Sequence, residues 1–555
     1  PRNSYISKSS FFKKHSFSPI KASPFFNCIT KGDDSIDLRH FLYYIKRNDF
    51  IFIDFFQRKE REVPMNPTNY LIIICDQLSA TALSAYGNTY SRTPNLDRLA
   101  ERSAIYEYAY TPCPLCQPAR ASFWTSRYPH ETMVRTNLPK QRLPFYQGDD
   151  QTQIPETFPS VSDTIPAMGE LFSDAGYRCV HFGKTHDYGA LKGFEVIPSN
   201  EIPKERTNPA IKFDYETFLD IDTTEKTVSW LKTEGAQTTQ PFLAVADLQN
   251  PHNICAYIGE KQHGADPENF PLDRELPPLP ENFEFDDIKN RPEFIQYLCC
   301  AHRRLRHASH WDETDYRYYL YAYYYYLEMV DQQIGEILNA LEESNKADNT
   351  AILFFADHGE GMASHRMVTK YGVFYEESNR VPFFACGPRI AGGRRINGVF
   401  SLLDLLPTML DHAGILKDSF AGKSQLASLS GACDRTDNAY VASEWHDEFR
   451  DYTVPGRMIC DEHYKYTCYL EPDSEELFDL TNDRLEKRNL ARLPEYAQIL
   501  EQYREKLKKH VEETGDDFFR LACSDASAYR KHPLGFGHHE GLSAVEVYSQ
   551  SLKKS

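Results

Sequence analysis

The sequence predicts an α/β protein: a sheet of buried strands flanked by helices, joined to a small C-terminal α+β domain. Three observations carry this. Four apolar runs, Tyr70-Leu-Ile-Ile-Ile-Cys75, Tyr177-Arg-Cys-Val-His-Phe182, Pro241-Phe-Leu-Ala-Val-Ala-Asp-Leu248 and Thr350-Ala-Ile-Leu-Phe-Phe-Ala356, have strand length and are followed by polar residues, the pattern of parallel strands delivering side chains at their carboxyl ends. Between the last two, apolar residues at 327, 330, 334, 337, 338 and 341 draw one helical stripe within 320–341. After residue 439, Ala439-Tyr-Val-Ala-Ser-Glu444, Arg457-Met-Ile-Cys460 and Tyr464-Lys-Tyr-Thr-Cys-Tyr-Leu470 read as short antiparallel strands, followed by an amphipathic helix over 494–514.

Length and composition bound the answer. A chain of 555 residues can bury a large core. Its net charge of −18 argues against nucleic acid or an anionic membrane as partner, so an anionic ligand must be drawn in by local cations. No apolar span reaches the 18 residues of a membrane helix, and no clear signal-peptide pattern is seen. Thirteen cysteines without framework spacing read as free thiols in a reducing compartment, and a cytoplasmic location is expected. Residues 1–64, before the first methionine, Met65, are expected to be an extension outside the catalytic fold. The catalytic domain is expected over 66–430, the small domain over 437–520 and a tail over 521–555.

Taken in order, the first strand ends in Asp76-Gln77, where a lone carboxylate serves equally as helix cap or metal ligand. In Cys113-Pro-Leu-Cys116-Gln-Pro118-Ala-Arg120-Ala-Ser-Phe-Trp124, Pro118 suits a first helical turn, which sets Cys116 at a helix N-terminus. Free N–H groups and the dipole favour an anion there, and Arg120 adds a planar charged fork. The same cysteines could instead be a redox pair, half a metal site or two buried small hydrophobes. Asn137 precedes a loop and reads as a turn residue. A helix is expected over 164–175. Gly183-Lys184-Thr185-His186 follows the second strand and puts lysine and histidine on one face of an extended stretch. Asn250-Pro251-His252 follows the third strand, and 264–292 reads as a long surface loop rimming an entrance. Tyrosines 323–326 read as core packing. Asp357-His358-Gly359-Glu360 closes the fourth strand, and Lys370 opens the run Lys370-Tyr-Gly-Val-Phe-Tyr-Glu376-Glu377-Ser-Asn-Arg380-Val-Pro382, whose Glu376, Glu377 and Arg380 read as a structural ion-pair network.

Cys-x-Pro-x-Arg followed by Ala-Ser and Arg127-Tyr-Pro-His130 resembles the signature of the formylglycine-dependent sulfatases. Four further motifs in family order, the Asp76-Gln77, Gly183-Lys184-Thr185-His186, Pro251-His252 and Asp357-to-Pro382 stretches, extend the likeness over about residues 69–517. Ala119 stands where many members have serine, as in the choline-sulfatase-like and phosphonate-monoester-hydrolase-like branch. The resemblance implies an alkaline-phosphatase-like mixed sheet and the conversion of Cys116 to formylglycine by a maturating enzyme. It implies one divalent cation held by Asp76, Cys116, Asp357 and His358, with calcium expected from the hard oxygen ligands. Many sulfatases have two consecutive aspartates at the first strand; here Cys75-Asp76 provides only one, so a ligand place is vacant or filled by Gln77, which is also expected to touch substrate. By resemblance Asn137 contacts the anion, Arg120 holds the nucleophile, and Lys184, Lys370 and His252 neutralise sulfate oxygens and protonate the departing alcohol. His186 takes the proton that expels sulfate. The Lys184-x-His186 pair tilts the expectation toward sulfate esters, with a sulfated sugar as substrate. The alternatives are a phosphonate or phosphate diester hydrolase on the same scaffold, a non-catalytic anion-binding protein, or a redox protein using Cys113 and Cys116. A homo-oligomer is left open.

Overall fold

The structure, a computed structural model, describes residues 42–46, 49–53 and 67–522, apart from 143–145, 150–155, 201–214, 263–271, 296–307, 416–419 and scattered positions between 285 and 451. The chain divides into two compact units, Pro1–Glu62 and Val63–Ser555. In the first, β1 (Leu42–Lys46) pairs antiparallel with β2 (Asp49–Ile53). The rest of the expected N-terminal extension, and the tail beyond 522, lie outside the described residues.

The second unit is built on a nine-stranded mixed sheet. Its centre is β3 (Asn69–Cys75), every residue of which is buried, as its run of β-branched isoleucines demands. On one side run, in parallel, β7 (Phe242–Leu248), β5 (Arg178–Gly183) and β6 (Glu195–Pro198). On the other runs β8 (Thr350–Ala356), parallel to β3 and antiparallel to β10 (Phe383–Cys386), which borders β4 (Ala104–Tyr110). The two-residue β9 (Arg380–Val381) also pairs with β4, and β11 (Arg394–Ser401) lies parallel to it. Register decides where chemistry collects. Cys75 lies beside both Ala356 and Leu248, and Gly183 beside Asp247, so four strands finish level with one another.

Helix α2 (Cys116–Thr125) is buried throughout and packs against α5 (Leu405–His412) and the turn before it. Helix α4 runs Glu313–Glu343 against α3 (Tyr215–Trp230) and α1 (Pro94–Glu101). It begins seven residues before the expected stripe because Tyr318–Tyr326 is aromatic or aliphatic at every position, which hides the helical period, and because Asp312 caps it by accepting from Asp315 N at 2.9 Å. The helix expected over 164–175 is confined to Met168–Asp174, after Pro166. The expected surface loop is corrected. Residues 263–271 lie outside the described residues, but Asn282 and Arg291 are fully buried. Asn282 donates to Glu377 at 2.9 Å and to Leu485 O at 3.0 Å, and Arg291 donates to Asp287 and Glu476.

The small sheet is antiparallel, in the order β12 (Val441–Trp445), β13 (Gly456–Cys460), β14 (Tyr464–Tyr469), β15 (Glu475–Asp479). Helix α6 (Ala497–Thr514) covers it, burying Leu500, Tyr503, Leu507 and Val511 against Ile459, Tyr466 and Leu477. Glu376 behaves as the expected ion-pair hub, meeting Lys465, Arg484 and Arg380; Glu377 is held by neutral groups, Asn282 and Ser364. No helix among the described residues is long and apolar enough to cross a membrane.

Candidate active site

The level strand ends put Asp76 after β3, Asp357 after β8 and Lys184 after β5 around the first turn of α2. Gly183 makes the β5 exit feasible: its φ is +100°, and a Cβ there would meet Asp247 O at 2.1 Å. Leu115 is extended and Cys116 is the first residue of α2, as the position of Pro118 predicted. Its Sγ lies 3.1 Å from His358 Nε2 and 3.8 Å from Asp76 Oδ1. Asp76, Cys116, Asp357 and His358 each turn one ligating atom inward, all within 4.8 Å of one another and all buried. The nine described cysteines, Cys113 and Cys116 among them, are thiols outside any disulfide.

Arg120, one turn along α2, is fully buried and its bonds all go to carboxylates. Nε donates to Asp357 Oδ2 at 2.9 Å, Nη1 to Asp247 Oδ2 at 2.6 Å, and Nη2 to Asp247 Oδ1 at 3.0 Å and Asp76 Oδ2 at 3.3 Å. The fork expected to face an anion or hold the nucleophile is thus bonded to Asp76, Asp247 and Asp357. Gln77, expected as ligand or substrate contact, also supports the site from below. Its N–H donates to Asp357 Oδ1 at 3.0 Å, its side-chain amide bridges Lys370 and Glu360, and its carbonyl accepts from Tyr323 OH at 2.7 Å. These bonds hold Gln77 at φ +66°. Asn137 reaches the helix terminus, where its Oδ1 accepts from Gln117 N at 3.0 Å, a capping contact. His186 bonds the Gln117 side chain beside the same turn, and Lys184 Nζ lies 2.5 Å from Asp76 Oδ2.

The field is strongly cationic around the sulfur. Burial would raise the Cys116 pKa, but the charges of Lys370 and His358 and hydrogen bonds from His186 and His252 outweigh it and hold it well below the ordinary thiol range. For Asp76, burial and Cys116 push upward, yet Lys184, His252 and Lys370 win and keep it ionised. Asp357 moves the other way, raised by burial and by Asp76. His358 is raised because Asp357 overcomes the burial that opposes its charge.

Several supporting residues escape sequence reasoning. Asp247 carries two of the Arg120 bonds and lies 3.2 Å from His181 Nε2; Asp187 receives Trp124 Nε1 at 2.7 Å. The available signal was a carboxylate inside an otherwise apolar strand, since a buried charge implies a partner. Glu360 is bonded by Gln77, by Tyr319 OH and by Thr369 N, so the tyrosines of α4 brace the site as well as the core.

Comparison with known proteins names this arrangement. The sulfatase family model matches residues 68–415, and the model for the C-terminal part of N-sulphoglucosamine sulphohydrolase matches 364–513. The chain belongs to the sulfatase family and is a sulfuric ester hydrolase. It is 41% identical to a Delta 4,5-hexuronate-2-O-sulfatase of Bacteroides thetaiotaomicron over 86% of this chain and 96% of the relative. It is 28% identical to a choline-sulfatase of Rhizobium meliloti over 77% and 83% of the two chains. A solved structure described as a 2-O GAG sulfatase superposes with a TM-score of 0.76 at 39% identity, covering 86% of this chain and 99% of that one. Membership implies a divalent cation and formylglycine, and the buried acid, imidazole and cysteine cluster has the donor chemistry to take such a cation.

Proposed function

We propose that the protein hydrolyses a sulfate ester on a carbohydrate, specifically the 2-O-sulfate of a hexuronate residue, with residue 116 as nucleophile. The observation that carries the reaction is the seat of Cys116, at a helix N-terminus within reach of His358 and Asp76 and ringed by Lys370, Lys184, His252 and His186. The identity to the hexuronate-2-O-sulfatase over nearly its full length supports the sugar.

Asp76, Asp357 and His358 would hold the cation together with residue 116, calcium by the hardness of the oxygens. When present, the formylglycine hydrate and the cation supply an acidified hydroxyl nucleophile and positive charge at the sulfate. The chain's own residues do the rest. Arg120 fixes Asp76 and Asp357 in place. Lys184 and Lys370 compensate charge that builds on the sulfate oxygens. His252 delivers a proton to the departing sugar oxygen, and His186, anchored by Gln117, removes one from residue 116 to release sulfate.

The test is sulfate release from a 2-O-sulfated unsaturated hexuronate disaccharide by protein matured in its native host. Cys116→Ala should abolish turnover, and His186→Ala should lower kcat by about 100-fold or more. Full activity in Cys116→Ala would end the proposal. Release from other sugar sulfates but none from the hexuronate would end only its substrate half.

A further inference from the structure

On the segment that follows the nucleophile's helix lies a buried cation that no acceptor among the described residues satisfies. Arg135 is 8% exposed; its Nε and Nη1 have no hydrogen-bond partner, and Nη2 meets only Met133 Sδ, a weak acceptor, at 3.7 Å. His446 is 7% exposed and neither ring nitrogen has a partner among the described residues. The two are near enough for the charge of Arg135 to act on the imidazole. The acids that act on Arg135, Glu444 and Asp516, are committed elsewhere. Glu444 accepts from His130 N at 3.0 Å and is bonded to His130 Nδ1 at 2.6 Å, while Asp516 takes both Nε and Nη2 of Arg457, at 2.6 and 3.0 Å. Burial and the charge of Arg457 accordingly pull Arg135 down to about 10. A desolvated guanidinium without an acceptor costs free energy that a bound anion would recover.

Its position says which anion. Arg135 is two residues from Asn137, whose side chain caps the turn carrying Cys116, so their Cα atoms are at most about 7 Å apart. His446 follows Glu444, whose N–H donates to Pro112 O at 2.8 Å, four residues before Cys116. Both residues therefore stand on segments hydrogen-bonded to the chain just before and just after the nucleophile.

We infer that Arg135 and His446 form the subsite that binds the carboxylate of the sulfated sugar, Arg135 through its planar fork and His446 through a ring N–H. This rests on the hexuronate reading above. A second sulfate group would share the chemistry, and the substrate arms below separate the two.

Wild type should prefer a 2-O-sulfated hexuronate disaccharide over its carboxyl-reduced counterpart by about 10- to 100-fold in kcat/KM, the worth of hydrogen bonds to a charged group. Arg135→Met should collapse that preference mostly through KM, and Arg135→Lys should restore part of it. Because the Arg135 guanidinium has no acceptor but Met133 Sδ among the described residues, Arg135→Met should also melt higher than wild type when unliganded, the reverse of what a structural arginine would give. An equal rate on both substrates in wild type, full discrimination in Arg135→Met, or a lower melting temperature in that variant would each overturn the inference. Glucuronate, which carries no sulfate, should raise the melting temperature of wild type but not of Arg135→Met, and glucose of neither. Were no hexuronate sulfate cleaved while glucuronate still bound through Arg135, the substrate reading would fall and the subsite would stand.

Discussion

Arg120 gathers Asp76, Asp247 and Asp357 around one guanidinium, and each of the four is expensive to bury alone. Arg120→Lys keeps the charge but cannot span three acids. It should lose about 3–5 kcal/mol in urea unfolding and more than about 100-fold in kcat. An unchanged unfolding midpoint would show that the acids do not depend on the fork. Sequence reading found Arg120 by its spacing from Cys116 but aimed it at the anion, because a fork suits sulfate and carboxylate alike. What it could not see was Asp247 on a strand 127 residues away. That Lys184, His186, His252, Lys370, Asp76, Asp357 and His358 would gather at one place could be expected because each follows an apolar strand or opens a distinctive motif, while their roles rest on the family resemblance. Gln77, Asn137 and Glu360 were ambiguous, since amides and acids cap, brace and ligate with the same atoms.

At the scale of elements, α4 does more than fill space. Tyr323 OH accepts from Ser79 N at 3.0 Å and donates to Gln77 O, clamping the turn after β3. Tyr323→Phe should cost about 1–2 kcal/mol, read by thermal unfolding, and lower kcat by loosening Asp357 through Gln77. A stable variant with unaltered kinetics would contradict the bracing role. Strand β12 is tied to the catalytic layer by His130, which binds Glu444. Burial opposes charge on His130, but the charge of Glu444 and the bond to it raise its pKa from 6.5 to about 9. A raised histidine stabilises below its unfolded value and loses that contribution as pH climbs through the folded one. Stability should therefore fall between pH 6.5 and 9 in wild type and stay flatter in His130→Gln, followed by urea titration. Element boundaries were the weaker part of the sequence reading. Strand β4 alternates poorly, with Glu107 inside Ala104–Tyr110, and β10 and β11 find their places only through pairing.

Over the whole molecule, the small sheet belongs to the same compact unit as the large one. Lys465 of β14 reaches Glu376 at 2.9 Å and Glu486 at 2.8 Å, all three buried. Lys465→Met should strand Glu486, while Glu376 keeps Arg484 and Arg380, cost about 3–5 kcal/mol and shift the single calorimetric transition as a whole. Separate melting of the two sheets would show instead that they fold independently. The acidic chain leaves the capture of an anionic substrate to a few inward cations, and these surround residue 116. The mass of the proteolytic peptide carrying that residue, from native-host protein that releases sulfate, tests this most directly. An aldehyde in place of the thiol is the result expected; unmodified cysteine in fully active protein would contradict the account.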